Sequence, residues 1–227
     1  MRFIVAVALL LLLAATPAVA QVGALQTDCG LGGDQGGGIY QFVATCAGRA
    51  RSPDGRFAII QRAYSDAQPP IELQDSRGRT LARLTALSDD MPFAVGWAPN
   101  SRWFFVNHHV GSFMDRLRLF EMVGGSAVER FGLVNSVTGI AVRRYPCLKP
   151  GLVYPNGVRW MRDSRRIVLF TTSATYACPV LSNRPGRWRT LWMIGDVRSG
   201  LVDPRSIRVQ PDDGRLAEPL GGPYARR

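Results

Sequence analysis

Trp97-Ala98-Pro99-Asn100-Ser101-Arg102, followed at once by Trp103-Phe104-Phe105-Val106, is the stretch on which the reading of the fold turns. A proline that fixes φ, an asparagine that bonds its own backbone and a small residue that closes the bend make a tight turn, and the β-formers behind it make a strand. The same order recurs in Arg51-Ser52-Pro53-Asp54-Gly55-Arg56 before Phe57-Ala58-Ile59-Ile60, and in Trp160-Met161-Arg162-Asp163-Ser164-Arg165 before Arg166-Ile167-Val168-Leu169-Phe170. A turn-and-strand element present three times predicts a modular all-β chain.

Aligning Asp54, Asn100 and Asp163 brings other residues into step. An arginine stands two positions later in all three copies. Asp75 and Glu121 each lie twenty-one residues downstream, at the end of a β-type run; Asp196 lies thirty-three downstream, so twelve residues carrying Cys178 are inserted in the third copy. Behind each acidic residue come a glycine-containing turn and a further short run, at 80–84, 127–131 and 207–210. Inner runs precede the motifs, clearest at 93–97 and 157–160. Four short antiparallel strands in about 45 residues make one propeller blade. The expected fold is all-β, a small or incomplete β-propeller-like array of four-stranded antiparallel blades over residues 39–210.

The element Trp-x-Pro-[Asp/Asn]-[Gly/Ser] resembles the repeat of TolB-type and WD-repeat-like β-propellers, although the first copy has Arg51 in place of tryptophan and the third lacks the proline. The resemblance implies a ring, yet closed propellers have about four to eight blades and three are visible. Residues 136–156 and 211–227, rich in turn formers, supply no fourth. The expectation is therefore a degenerate propeller, an open fan, or half a ring completed by a partner, and the strand edges of an open fan make a homodimer one outcome. Tryptophans at the motif are expected to pack between adjacent blades.

Upstream, Arg2, the apolar residues 3–15 and the small residues 16–20 read as an export leader removed after Ala20. A Gly-rich segment at 21–38 and a tail at 211–227 flank the expected domain. Localisation is expected to be periplasmic or secreted, with no membrane span after removal of the leader. The chain carries 28 basic against 17 acidic residues, and Lys149 is the sole lysine. This charge suits an anionic ligand or an envelope protein; no motif for specific nucleic-acid recognition accompanies it. Cys29, Cys46, Cys147 and Cys178 form an even set in an exported chain and predict two disulfides. Of the three connectivities, Cys29 with Cys46 and Cys147 with Cys178 keeps each pairing within one neighbourhood of the repeat.

Candidate chemistry is sparse. Gly30 to Gly38 contains neither a G-x-G-x-x-G spacing nor a Lys-Ser/Thr pair and reads as a loop, and no G-x-S-x-G elbow is present. Four cysteines without a C-x-x-C pair do not make a zinc site. No cofactor, metal or catalytic set is expected. His108 and His109, the two histidines, end the strongest strand and are candidate ligand-binding residues, or a general base with Asp89, Asp90 or Asp115. Neighbouring strand residues face opposite sides, so both cannot serve one site. Arg184 and Arg187 in the insertion at 175–188 are further binding candidates. A glycosidase pair among Glu72, Asp75, Asp89, Asp90, Glu121 and Asp196 competes with their place as turn residues. The expected function is a non-catalytic binding module of the cell envelope, and the alternative is an envelope hydrolase using His108 or His109 with a carboxylate.

Overall fold

The computed structural model describes residues 26–27, 39–42, 47–62, 71–84, 93–111, 114–174 and 188–211. The expected leader, the Gly-rich run 30–38, Cys29, Cys46, Asp89, Asp90, Cys178, Arg184, Arg187 and the tail after Pro211 lie outside the described residues.

Among the described residues, fifteen strands form three antiparallel sheets, none of them closed. The first is built from β1 (Gln26–Thr27), β3 (Gly48–Arg51), β4 (Phe57–Gln61), β5 (Glu72–Asp75) and β6 (Thr80–Arg83), in that spatial order. The second has β2 (Ile39–Phe42), β7 (Phe93–Trp97), β8 (Trp103–Gly111), β9 (Met114–Val123) and β10 (Ser126–Glu129). Helix α1 (Gly132–Arg144) leads into the third, which holds β11 (Val153–Trp160), β12 (Arg166–Ala174), β13 (Trp188–Asp196) and β14 (Leu201–Val202), with β15 (Arg208–Pro211) also on β13.

Each aligned motif is the loop between the first two strands of a four-strand meander. Gly55, Ser101 and Ser164 donate their N–H to the carbonyls of Ser52, Ala98 and Met161 at 2.9, 2.8 and 3.0 Å. All three closing residues sit at positive φ, 70°, 58° and 55°. The preceding side chain explains the Asp/Asn choice: Asp54, Asn100 and Asp163 each accept, through Oδ1, the backbone N–H of the arginine two residues on, at 3.0 Å in every copy. The pairing partners are equivalent as well, with Phe57 opposite Asp75, Trp103 opposite Glu121 and Arg166 opposite Asp196. The shared spacing of the acidic residues is thus a shared strand register.

The sheets stack face to face. One core cluster, with Ile59, Leu73, Val95, Trp97, Phe104 and Phe120, lies between the first and second sheets. A larger one, with Phe105, Leu119, Leu133, Trp160, Leu169 and Met193, joins the second sheet to α1 and the third. The second sheet is therefore buried on both faces, which is why Trp103-Phe104-Phe105-Val106 is apolar without alternation.

Two hydrogen bonds recur between successive sheets. The Trp97 indole N–H donates to the carbonyl of Ala50 at 3.2 Å, and the Trp160 indole N–H to that of Gly96 at 2.9 Å. Ala50 and Gly96 precede Arg51 and Trp97, so the acceptors are equivalent. The backbone N–H of Asp54 donates to Ser101 Oγ and that of Asn100 to Ser164 Oγ, both at 3.0 Å. The tryptophans thus do pack between neighbouring sheets. Gly96 and Gly157 both lie against the Phe105 ring, and a Cβ at either would run into it.

Three features depart from the sequence expectation. Residues 132–144 form a helix within a chain expected to be all-β; Leu133, Val137 and Ala141, spaced by four, are its buried stripe. In the third sheet the strand after the glycine turn is split, because Asp203-Pro204 opens a 3-10 turn, so β14 meets β13 at Gly195 and Asp196 while β15 returns to residues 189–192. The expected tail boundary at 211 also falls inside β15.

Removing the serine acceptors strands a turn amide at each joint. Ser101→Ala and Ser164→Ala are each expected to lower the unfolding free energy by about 1–2 kcal/mol. The corresponding Gly variants should lose less, because glycine relieves the positive φ. Equilibrium urea unfolding checks both, and a glycine variant as damaging as the alanine would contradict the assignment.

Candidate functional site

The joint between the second and third sheets differs from the first because the chain leaves the sheet there. After β10, the backbone N–H of Arg130 donates to the Leu119 carbonyl at 2.8 Å, Phe131 becomes the N-cap residue of α1, and the helix enters between the sheets. At the far side Asn107 of β8 bridges to β11, donating Nδ2–H to the Gly157 carbonyl at 2.7 Å and accepting the Gly157 N–H at 2.8 Å. Between these anchors runs a groove of two adjoining cavities. The larger, about 650 Å³, is lined by His108, Arg116, Arg118, Glu129, Val134 and Tyr154 among others. The smaller, about 600 Å³, includes Arg102, Trp103, Glu121, Val197 and Arg198. Leu119, Arg130 and Phe131 border both. Phe131, 60% exposed, stands where they meet.

Among the described residues, five arginines line the groove against two carboxylates, and both carboxylates are already paired. Glu121 is held by Arg102, through Nε at 3.0 Å and Nη2 at 2.6 Å to Oε1, and by Arg130, through Nε at 3.1 Å and Nη2 at 2.8 Å to Oε2. Burial alone would raise the Glu121 carboxyl, but the hydrogen bonds and charges of the two guanidinium groups hold it below its ordinary value of 4.5. Glu129 takes both Nε (2.8 Å) and Nη2 (2.6 Å) of Arg118. That pairing leaves Arg118 Nη1 buried without a hydrogen-bond partner. The Arg118 guanidinium also packs over the Phe120 ring, with its carbon 5.1 Å from the ring centroid, so a cation–π contact accompanies the ion pair.

His108 lies in this groove, 3% exposed, opposite Phe93 on one side and Arg116 on the other. β8 continues through His109, so the two histidines are alternate positions of one strand. Asp115, a carboxylate considered for either histidine, is in register with His109. The motif carboxylates serve ion pairs: Asp54 pairs with Arg56 at 2.5 Å, Asp75 with Arg79 at 3.1 Å, Asp163 with Arg166 at 2.5 Å and Asp196 with Arg165 at 2.5 Å. Asp54, Glu72, Asp75 and Asp163 all lie below their ordinary values; burial opposes the shift at Asp54, Glu72 and Asp163, while backbone N–H donation from Arg79 leads it at Asp75. A lowered carboxyl suits an ion pair rather than a proton donor. Cys147 is disulfide-bonded, its partner lying outside the described residues.

No family model, curated protein or solved structure matches the chain. The groove therefore has to be read from its own residues. Arg116, Arg118, Arg130 and Phe131 were not among the sequence candidates. A signal existed in Arg116-Leu117-Arg118-Leu119, where an arginine falls on a face that Phe120 and Val106 bury.

Glu121 supplies a pH test. Because its folded value is depressed, its stabilisation is present above 4.5 and is lost as pH falls through the lower folded value. The thermal midpoint is expected to be flat from neutral pH down to about 5 and to drop below about 4. In Glu121→Gln the drop should be shallower and the neutral-pH midpoint lower, as read by circular dichroism; an unchanged acid limb would contradict the clamp.

Proposed function

We propose that the protein is a non-catalytic binding module that takes a carboxylate-bearing ligand in the groove between its second and third sheets. The observation that carries this reading is the gathering of Arg102, Arg130 and Arg198 around one carboxylate, Glu121, which Arg102 and Arg130 already neutralise. Exposed Phe131 and the apolar walls from Val134 and Val153 offer a surface for the body of the ligand. We read the three stacked meanders as a small, open, propeller-like array of the TolB or WD-repeat kind. The repeated turn, register and inter-sheet hydrogen bonds support that reading. The leader-like start and the even cysteine set support export to the periplasm or beyond, with Cys29–Cys46 and Cys147–Cys178 as the proposed bridges.

Titration with succinate, followed by tryptophan fluorescence because Trp103 lines the smaller cavity, tests the reading. Binding is expected at low ionic strength and should weaken as salt rises. Losing a charged hydrogen-bond partner costs about 1.5–3 kcal/mol, so Arg130→Ala should weaken binding by about tenfold or more. Succinate binding that survives this substitution, or no binding at low salt, would sink the proposal.

A further inference from the structure

The larger cavity runs along a strand edge that no described strand covers. β10 pairs with β9 only from Phe120 to Val123, and Arg130 adds a last bond to Leu119 before the chain turns into α1. No described strand pairs with β9 on that side from Met114 to Arg118. The direction of the backbone groups follows from two contacts. The Leu119 carbonyl points to the β10 side, where Arg130 reaches it, whereas the Met122 N–H points the other way, to Arg102. Alternation by two then turns the N–H and C=O of Leu117 outward, toward the cavity. Arg116 and Arg118 flank Leu117 on one face of the strand, and Leu117 itself belongs to the apolar core on the other.

We propose that this edge accepts an extended, acidic peptide segment of a partner protein as an added strand, in line with β10. The proposal rests on the groove being an anion site, as above, and names the class of ligand. An added antiparallel strand would exchange main-chain hydrogen bonds with Leu117, while its neighbouring residues would stand opposite Arg116 and Arg118 in the closely spaced type of pair. A carboxylate there meets the exposed guanidinium of Arg116. Apolar residues at the alternate positions face the side of Leu117. The preferred segment thus alternates acidic and apolar residues, and charge complementarity selects it over a basic or neutral strand.

The probe is a fluorescein-labelled peptide, Glu-Val-Glu-Val-Glu, followed by anisotropy with the unmodified protein. In the bound strand the valine N–H groups point at β9 and the glutamate N–H groups point away. N-methylation of the central-lying valines should therefore abolish binding, and N-methylation of the central glutamate should leave it intact. Arg116→Glu, at an exposed position, should weaken binding by about tenfold, and a Lys-Val-Lys-Val-Lys peptide should then bind that variant in preference to the original protein. Equal sensitivity to both N-methyl peptides overturns strand addition. Absence of peptide binding while succinate still binds overturns it as well, but leaves the anion groove standing; loss of both removes the two readings together.

Discussion

A buried indole N–H reaching a backbone carbonyl of the sheet before it, with a serine hydroxyl taking the neighbouring turn amide, is the contact on which the arrangement of the molecule depends. Two sheets stacked through apolar side chains alone have many near-equivalent offsets, since hydrophobic burial is not directional. The bonds from Trp97 to Ala50 and from Trp160 to Gly96, with those from Asp54 to Ser101 and Asn100 to Ser164, select one offset and repeat it. The first copy carries Arg51 and Gly55 where the later copies carry tryptophan and serine. Both parts of the contact are therefore missing from the same unit, the first of the three among the described residues.

The second joint keeps these bonds and still differs from the first, because α1 is wedged into it. Leu133, Val137 and Ala141 fill the space that a direct sheet-to-sheet contact would close, and after the departure of the chain at Arg130 no described strand covers the rest of the β9 edge. The groove is a consequence of this interruption. Its arginines gain importance from their number: Arg102, Arg116, Arg130 and Arg198 are exposed, and their charges add up along one wall. Glu121 and Glu129 stabilise the guanidinium groups without cancelling the excess of positive charge.

Much of the fold was legible in the chain. The aligned Asp54, Asn100 and Asp163, and the acidic residues downstream, marked turns and registers that the strands reproduce, because local hydrogen bonds and strand periodicity are set by residues close in sequence. The helix was harder to read, since Gly132, Gly139 and the β-branched residues between them have weak helix propensity and only the spacing of Leu133, Val137 and Ala141 betrays it. The split of the last strand also escaped, although Asp203-Pro204 carried a signal for it.

By itself the sequence determined where the chain bends, which runs are extended, that the units share one pattern and that the charge is positive. Only the tertiary structure decided that Arg116, Arg118 and Arg130 converge with His108 and Phe131 on one groove, that Glu129 occupies two of the three Arg118 nitrogens, and that part of the β9 edge pairs with no described strand. The reason is physical: a turn or a strand register is settled within a few residues, whereas partner choice among many chemically identical arginines depends on the stacking of whole sheets and on where an inserted helix holds them apart.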